Sequence, residues 1–554
     1  MYRRPPGGNN QSAYYAKDPI ASRKYRPTNQ TPPQFPSQPL PWVDNHSSSK
    51  YNNIVIGINR SYCFQKEGMA LVFSSLIFLY AFFPLSLLAY WVCPGRRSQN
   101  AVLLIFSLVF YAWGEPKYVL LLMFMALTAW FCALRVEKAE SLKGKKLWLV
   151  VSCVVDLALI AYFKYAGLIC SVFGTVPDII RSIALPIGIS FYTFQLLTYV
   201  VDVYRNEAPA QKSYWNVLLY AALFHQCIAG PIVRYRTIDR ELFGNEPRRP
   251  EIAEGVSRFA AGLAKKVLLA NPCGALADSL ILSGDAIGNA ALFTENLQAL
   301  SSISVLGAWT GLIAYALHIY LDFSAYSDMA IGMGRMLGLH YLENFSFPYI
   351  SRTATEFWRR WHMSLGTFFR DYVYIPLGGS RCSLPRSVFN TLVVWALTGL
   401  WHGASWNFLL WGLWFFVFLM LERFFLKKWL EKIPVLSHLY LLFVVCLGWV
   451  VFRFTDLRLA LTLAGSLFGL NGNAFSSFTA ESALLSKLAL LAVCALASTP
   501  LAATLRSKVE ARLSGRWVTV WNICFYSLMP VVLLLLSTAG LVGDSYNPFI
   551  YFQF

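Results

Sequence analysis

From Met69 to the end of the 554-residue chain, apolar runs long enough to cross a hydrocarbon core follow one another with only short polar loops between them. A core about 30 Å thick takes about 20 apolar residues as a helix, and backbone groups in lipid must pair within their own segment. Only helical bundles and closed barrels meet that demand, and the period-two alternation of a barrel is absent. The expected fold class is all-α: a polytopic transmembrane helical protein with about 11–14 membrane segments, short or re-entrant helices included.

The expected segments fall near 69–93, 100–113, 116–134, 147–170, 181–201, 213–230, 254–280, 296–321, 323–339, 388–402, 404–425, 435–452, 457–470, 484–502 and 518–541. Several are too short for a full crossing, and the breaks at Gly114-Glu115-Pro116 and Gly230-Pro231 fit re-entrant pieces. Basic residues sit between the runs, at Arg96 and Arg97, Lys143 to Lys146, Arg234 to Arg249, Lys427 to Lys432 and Arg506 to Arg516. Loops of that kind face the cytoplasm. Three full crossings after Lys146 would put the Arg234 loop on the wrong side, so one of the three is expected to stop short. The net charge of +18 is thus a record of membrane orientation. A nucleic-acid partner is not expected, because no folded basic face carries base-reading or stacking residues.

Residues 1–68 are polar and proline-rich, with Pro32, Pro33, Pro36, Pro39 and Pro41 among Asn, Gln and Ser. That composition cannot bury a core, and it lacks the apolar region of a signal peptide. The domain reading is a disordered extension over 1–68, with Met69 an alternative start, and a membrane domain over 69–554. Most of the 11 cysteines lie inside apolar runs and none forms a C-x-x-C pair, so they read as small buried hydrophobes, with no metal site expected. No fixed-period repeat or matched pair of broken segments appears, which disfavours a transporter built from inverted repeats.

Polar groups interrupt the apolar pattern in four places. In Gly399-Leu-Trp-His-Gly-Ala-Ser-Trp406, His402 closes an apolar run, where an ionisable group is costly unless hydrogen-bonded or functional. Imidazole suits group transfer: it takes the proton of an attacking hydroxyl and returns it to a leaving group, and a low-dielectric site favours its neutral form. Gly403 beside it leaves room for close approach of an acyl chain or backbone. Between Asn344 and Gly379, Trp358, Trp361, Leu365, Phe368 and Tyr372 recur at helical spacing, predicting one amphipathic helix. That helix either lies in the headgroup zone or carries His362 into a reaction chamber. Asp322, Ser324, Tyr326, Ser327 and Asp328 read as inward-facing, most of them as hydrogen-bonding glue between helices. His225 and Gln226 precede the Gly230-Pro231 break and read as a helix end. H-E-x-x-H, G-x-x-x-x-G-K-[ST] and G-x-S-x-G are all missing, against metalloprotease, ATP-driven and serine-hydrolase chemistry.

Together, Leu223 to Tyr235, Asp322 to Gly334, Phe357-Trp-Arg-Arg-Trp-His-Met-Ser-Leu365, Arg370-Asp-Tyr-Val-Tyr-Ile-Pro-Leu-Gly-Gly379, Leu400-Trp-His-Gly-Ala404 and Asn547-Pro-Phe-Ile-Tyr-Phe552 resemble the membrane-bound O-acyltransferases, in their bacterial alginate O-acetyltransferase branch. The resemblance runs from Met69 to the C-terminus. It implies tilted helices around a central funnel, with His402 the catalytic residue and His362 a second active-site histidine. It also implies a relay with no bound cofactor, in which acetyl from cytosolic acetyl-CoA crosses the inner membrane to a periplasmic or surface SGNH-type acetyltransferase and a polysaccharide acceptor. One departure is His225, where the family pattern has proline before the glutamine. On this reading His402 is the general base and His362 its positioning or acid partner, with Trp401, Asp322, Asp328, Arg359 and Arg360 as substrate-binding residues and Arg370 a further anion contact. Transfer of D-alanine to teichoic acid, and non-enzymatic export of polysaccharide, remain alternatives.

Overall fold

The computed structural model describes residues 72–228, 230–244 and 251–543, and every regular element among them is a helix. The extension 1–68, the start at Met69 and the closing Asn547–Phe552 motif lie outside these residues. Among the described residues, seven helices are long and apolar enough to cross a membrane: Val119–Lys138, Leu142–Val172, Val305–Met336, Trp406–Lys432, Pro434–Arg453, Phe478–Ala497 and Arg516–Gly543. The chain is a multi-pass membrane protein. Phe478–Ala497 and Arg516–Gly543 bury only 11% of their apolar windows, against 78% for Val305–Met336. The first two therefore offer Leu485, Leu488, Leu535 and Leu536 to lipid, while Val305–Met336 is the axis of the bundle.

That axial helix corrects the sequence reading, which divided it into segments at 296–321 and 323–339. A separate helix Phe293–Ser302 precedes it; Ser304 then caps a new start by accepting from the Gly307 amide, and 32 residues run unbroken, about 48 Å at 1.5 Å per residue. The polar run at Asp322–Asp328 does not break the helix, because its side chains are satisfied sideways. Lys266 meets Asp322 at 2.8 Å, and Arg258 meets Asp328 at 2.9 Å. Both cations come from the stretch Ile252–Ala270, whose Gly255 lies directly against Gly332; a Cβ on Gly255 would sit 2.7 Å from the Gly332 carbonyl. Small residues at such a crossing let membrane helices approach to backbone contact.

The expected segments at 181–201 and 213–230 are also shorter than read. Ile189–Tyr204 is almost wholly buried, and Tyr214–Ala222 has nine residues, about 13 Å, too short to cross. After Ala222 the chain turns rather than continuing as helix: His225 Nδ1 lies 2.8 Å from the Tyr341 hydroxyl, and Gln226 donates to the Tyr220 carbonyl.

The basic loops gather at one end of the bundle. Arg96 donates to the carbonyls of Arg240 and Glu241, Lys212 pairs with Glu137, Arg335 pairs with Glu251 and Glu254, and His340 lies 2.8 Å from Glu241. The opposite end is built by Arg453 on Asp278, Trp309 on the Leu467 carbonyl and Asn473 on the Ile303 carbonyl. The axial helix runs from this second end to the basic one.

Candidate active site

The predicted amphipathic helix over 358–372 is broken at its centre, and the break carries His362. Thr353 caps a first short helix, Ala354–Arg360, by accepting from the Glu356 amide. Trp361 is extended and His362 adopts the left-handed conformation (φ 45°, ψ 53°), after which Met363–Phe369 resumes as helix. The backbone groups freed by the break are taken by the irregular segment before it: Ser346 N–H donates to the Arg360 carbonyl, and Met363 N–H donates to the Asn344 carbonyl at 2.9 Å. Phe357, Trp361, His362, Leu365, Phe368 and Phe369 are buried, so this segment packs inside the protein and does not lie flat in the headgroups.

His362 stands T-shaped on Phe323 with ring centroids 4.8 Å apart. Phe323 lies 13 residues before the end of the axial helix at Met336, about 20 Å along the helix from the basic end, so His362 lies well inside the bundle. The His362 Nδ1 faces Asn344 Oδ1 at 3.2 Å, and among the described residues its buried Nε2 has no hydrogen-bond partner.

His402 is the last residue of Leu384–His402, and its ring is packed T-shaped by Trp411 (5.0 Å) and Phe452 (5.2 Å). Gly403 admits the Phe408 ring, which a Cβ would overlap; the close approach read from the sequence is made by this side chain. Trp401 makes ring contact with both histidines, 5.6 Å from His362 and 5.0 Å from His402 by ring centroid.

Sequence reasoning passed over Lys164, Tyr165 and Asn344. A π-helical turn at Ala161–Tyr165 swings Lys164 and Tyr165 toward the end of the His402 helix. Lys164 donates to the Trp401 carbonyl and to Ser190 Oγ, and Tyr165 donates to the Leu400 carbonyl at 2.8 Å. A cation at a helix C-terminus is favourable, and here it satisfies a carbonyl that the helix leaves open. The signal was present: a lone lysine inside the apolar run 147–170. Asn344 had no such signal, since a single asparagine before Phe-Ser-Phe-Pro looks like a turn residue.

The remaining expected residues have partners of their own or are exposed. Asp322 is ion-paired with Lys266, and Asp328 with Lys265 and Arg258, holding the axial helix to its neighbour. Arg360 bonds Glu356 and the Ser346 carbonyl, while Arg359 is exposed. Arg370 pairs with Asp371, which also receives Arg234 at 2.7 Å. Burial works against the Asp371 carboxylate, but the hydrogen bonds from Arg370 and Arg234 outweigh it and hold its pKa below the usual aspartate value.

Two buried imidazoles thus share ring contact with one indole inside the helical bundle. Residues 103–463 match the membrane-bound O-acyltransferase (MBOAT) family, and the chain belongs to that family: it is an O-acyltransferase. Among its relatives is the probable alginate O-acetylase AlgI of Pseudomonas putida, 34% identical over 507 residues, covering 87% of this chain and 100% of the relative. The peptidoglycan O-acetyltransferase of Helicobacter pylori is 29% identical, covering 73% of this chain and 80% of the relative. The teichoic acid D-alanyltransferase of Bacillus subtilis is 26% identical, covering 48% and 68% respectively.

Proposed function

We propose that this enzyme takes an acetyl group from cytosolic acetyl-CoA and passes it across the inner membrane for O-acetylation of an extracytoplasmic polysaccharide, alginate or another cell-surface glycan. The observation that carries the reading is the His362–Trp401–His402 cluster about 20 Å below the basic end of the bundle. Basic loops face the cytoplasm, so the donor reaches the site from that end. Full-length similarity to a probable alginate O-acetylase supports acetyl as the group and a polysaccharide as its destination.

His362 and His402 are the catalytic residues of this proposal. The acceptor hydroxyl adds to the thioester carbon and loses its proton to an imidazole; the C–S bond breaks, and the thiolate recovers a proton as CoA–SH. Trp401 shapes the space between the two rings, and Arg359 and Arg360 are the candidate contacts for the anionic donor. A periplasmic or surface SGNH-type acetyltransferase completes the relay to the glycan.

The test is the O-acetyl content of cell-surface glycans from cells carrying the wild type, no gene, or His402→Ala at matched membrane expression. Acetyl esters should be present only with the wild type. Full acetylation with His402→Ala removes His402 from the centre, and alanyl esters in place of acetyl overturn the choice of group.

A further inference from the structure

The hydrogen bonds around Asn344 determine which nitrogen of His362 carries the proton. Asn344 is fully buried, and its side-chain amide is oriented by a donor that cannot be mistaken: the Ser364 backbone N–H, 3.1 Å away. The atom facing that N–H is therefore the oxygen, Oδ1, and Nδ2 points the other way, donating to Ser327 Oγ on the axial helix at 3.2 Å. The His362 Nδ1 lies 3.2 Å from this same Oδ1, an atom that only accepts. An unprotonated Nδ1 would set lone pair against lone pair. Among the described residues, the other hydrogen-bond donor at Nδ1 is the Ser364 hydroxyl, 3.4 Å from Nδ1 but 2.8 Å from Oδ1, so its proton goes to the amide oxygen. Nδ1 is left as N–H, and in neutral imidazole that makes Nε2 the lone-pair nitrogen.

We infer that Asn344 is a positioning residue that holds His362 in its Nδ1–H form, and that His362, through Nε2, is the proton acceptor of the histidine pair. A base oriented by a third group is the arrangement that activated hydroxyls recur with. Among the described residues, no hydrogen bond fixes either ring nitrogen of His402, whose contacts are the rings of Trp401, Trp411 and Phe452. Its neutral N–H is free to polarise the thioester carbonyl, a role neutral histidine is known to fill. This reverses the division read from the sequence, in which His402 is the base. The acceptor hydroxyl gives its proton to His362 Nε2 as the new C–O bond forms; when the C–S bond breaks, the thiolate takes that proton. The acceptor role rests on the acyl transfer proposed above, whereas the tautomer does not.

The experiment uses full-length protein in lipid nanodiscs, labelled with 15N-histidine, and reads the ring nitrogens by NMR, with His362→Gln to assign the His362 signals. The wild type should show His362 protonated at Nδ1, the less common form of free neutral histidine. An Nε2–H signal overturns the tautomer. Asn344→Leu removes the acceptor, and it should convert the signal to Nε2–H and lower kcat by about 100-fold with KM little changed, the lower end of what a general base contributes. Asn344→Asp keeps an acceptor oxygen on Nδ1–H and should keep the tautomer and kcat within about tenfold of the wild type. Wild-type kcat in Asn344→Leu, or an Asn344→Asp enzyme that keeps the tautomer but is as slow as Asn344→Leu, overturns the acceptor role. Absence of acetyl transfer by the wild type refutes the proposed function and leaves the tautomer measurement standing.

Discussion

Replacing Lys266 with Met is expected to be among the most destabilising single changes in the axial core, and the reason is Asp322. The two side chains are 2% and 0% exposed and meet at 2.8 Å, with Lys266 also donating to Asn271 Oδ1 at 2.7 Å. At an effective dielectric of about 20, two unit charges at that separation attract by about 6 kcal/mol. Desolvation costs several kcal/mol for each ion, so the pair contributes little net stability. Breaking it is a different matter, because removing the lysine leaves a carboxylate buried without its cation, at a cost of about 3–5 kcal/mol. Lys266→Met/Asp322→Leu removes both charges with little change of volume and should recover most of that loss. The assay is a double-mutant cycle on unfolding free energy in mixed micelles, titrated with a denaturing detergent. A single mutant as stable as the wild type, or a double mutant that sums the two losses, refutes the argument. The same double mutant separates framework from substrate contact at Asp322: if the ion pair is framework, the recovered protein keeps its KM for the acyl donor.

Lys164→Met should weaken the end of the His402 helix by about 1.5–3 kcal/mol, the range for a charge-assisted hydrogen bond, and thermal unfolding in detergent measures it. Arg360→Gln loses a partly exposed i,i+4 pair with Glu356 and should cost less than about 1 kcal/mol. A KM for the donor raised about tenfold in Arg359→Gln supports Arg359 as a donor contact; an unchanged KM excludes it. At Asp371 the folded pKa is depressed, so its stabilisation is complete above the ordinary aspartate value of about 3.9 and lost as pH falls through the lower folded value. Asp371→Asn should therefore flatten the acid limb of a stability–pH curve, and a curve unchanged below pH ~4 refutes the pairing.

The helical class was legible from apolar length, and His402 stood out as an ionisable residue closing an apolar run; for His362 the sequence left the headgroup zone and a buried position both open, and the burial of its ring decides between them. Helix ends were less legible wherever satisfaction came from elsewhere in the chain. The sequence reads Asp322 as a carboxylate too costly to leave in lipid and therefore inward-facing, but its cation, Lys266, lies more than fifty positions away and is not visible locally. The helix over 358–372 was read as continuous because three-and-four spacing of aromatics is blind to φ. Nothing in Trp-His-Met announces a left-handed residue, although histidine is among the non-glycine types that enter that region more readily than most. The polar run at Asp322–Asp328 reads as glue for most of its members, and both carboxylates are ion-paired with the neighbouring helix.

The break at His362 also shows how irregular backbone is accommodated inside the bundle. Broken helices within a membrane persist only where protein satisfies the freed groups, and here one residue does most of it: the Asn344 carbonyl takes the Met363 amide, and its side chain takes the Ser364 amide. A left-handed residue costs about 1–2 kcal/mol, and two buried backbone hydrogen bonds of about 1 kcal/mol each offset it. The side-chain oxygen that satisfies the Ser364 amide is the one that faces His362 Nδ1. The helix start and the orientation of the imidazole are thus coupled through one atom. The start of Met363–Phe369 cannot shift without releasing the imidazole, and the imidazole cannot change tautomer without placing a lone pair against that oxygen. Asn344→Asp, which keeps the oxygen, should preserve both; Asn344→Leu should lose both together, seen as a lower unfolding midpoint and the altered His362 tautomer in the same sample. A variant that loses one and retains the other refutes the coupling.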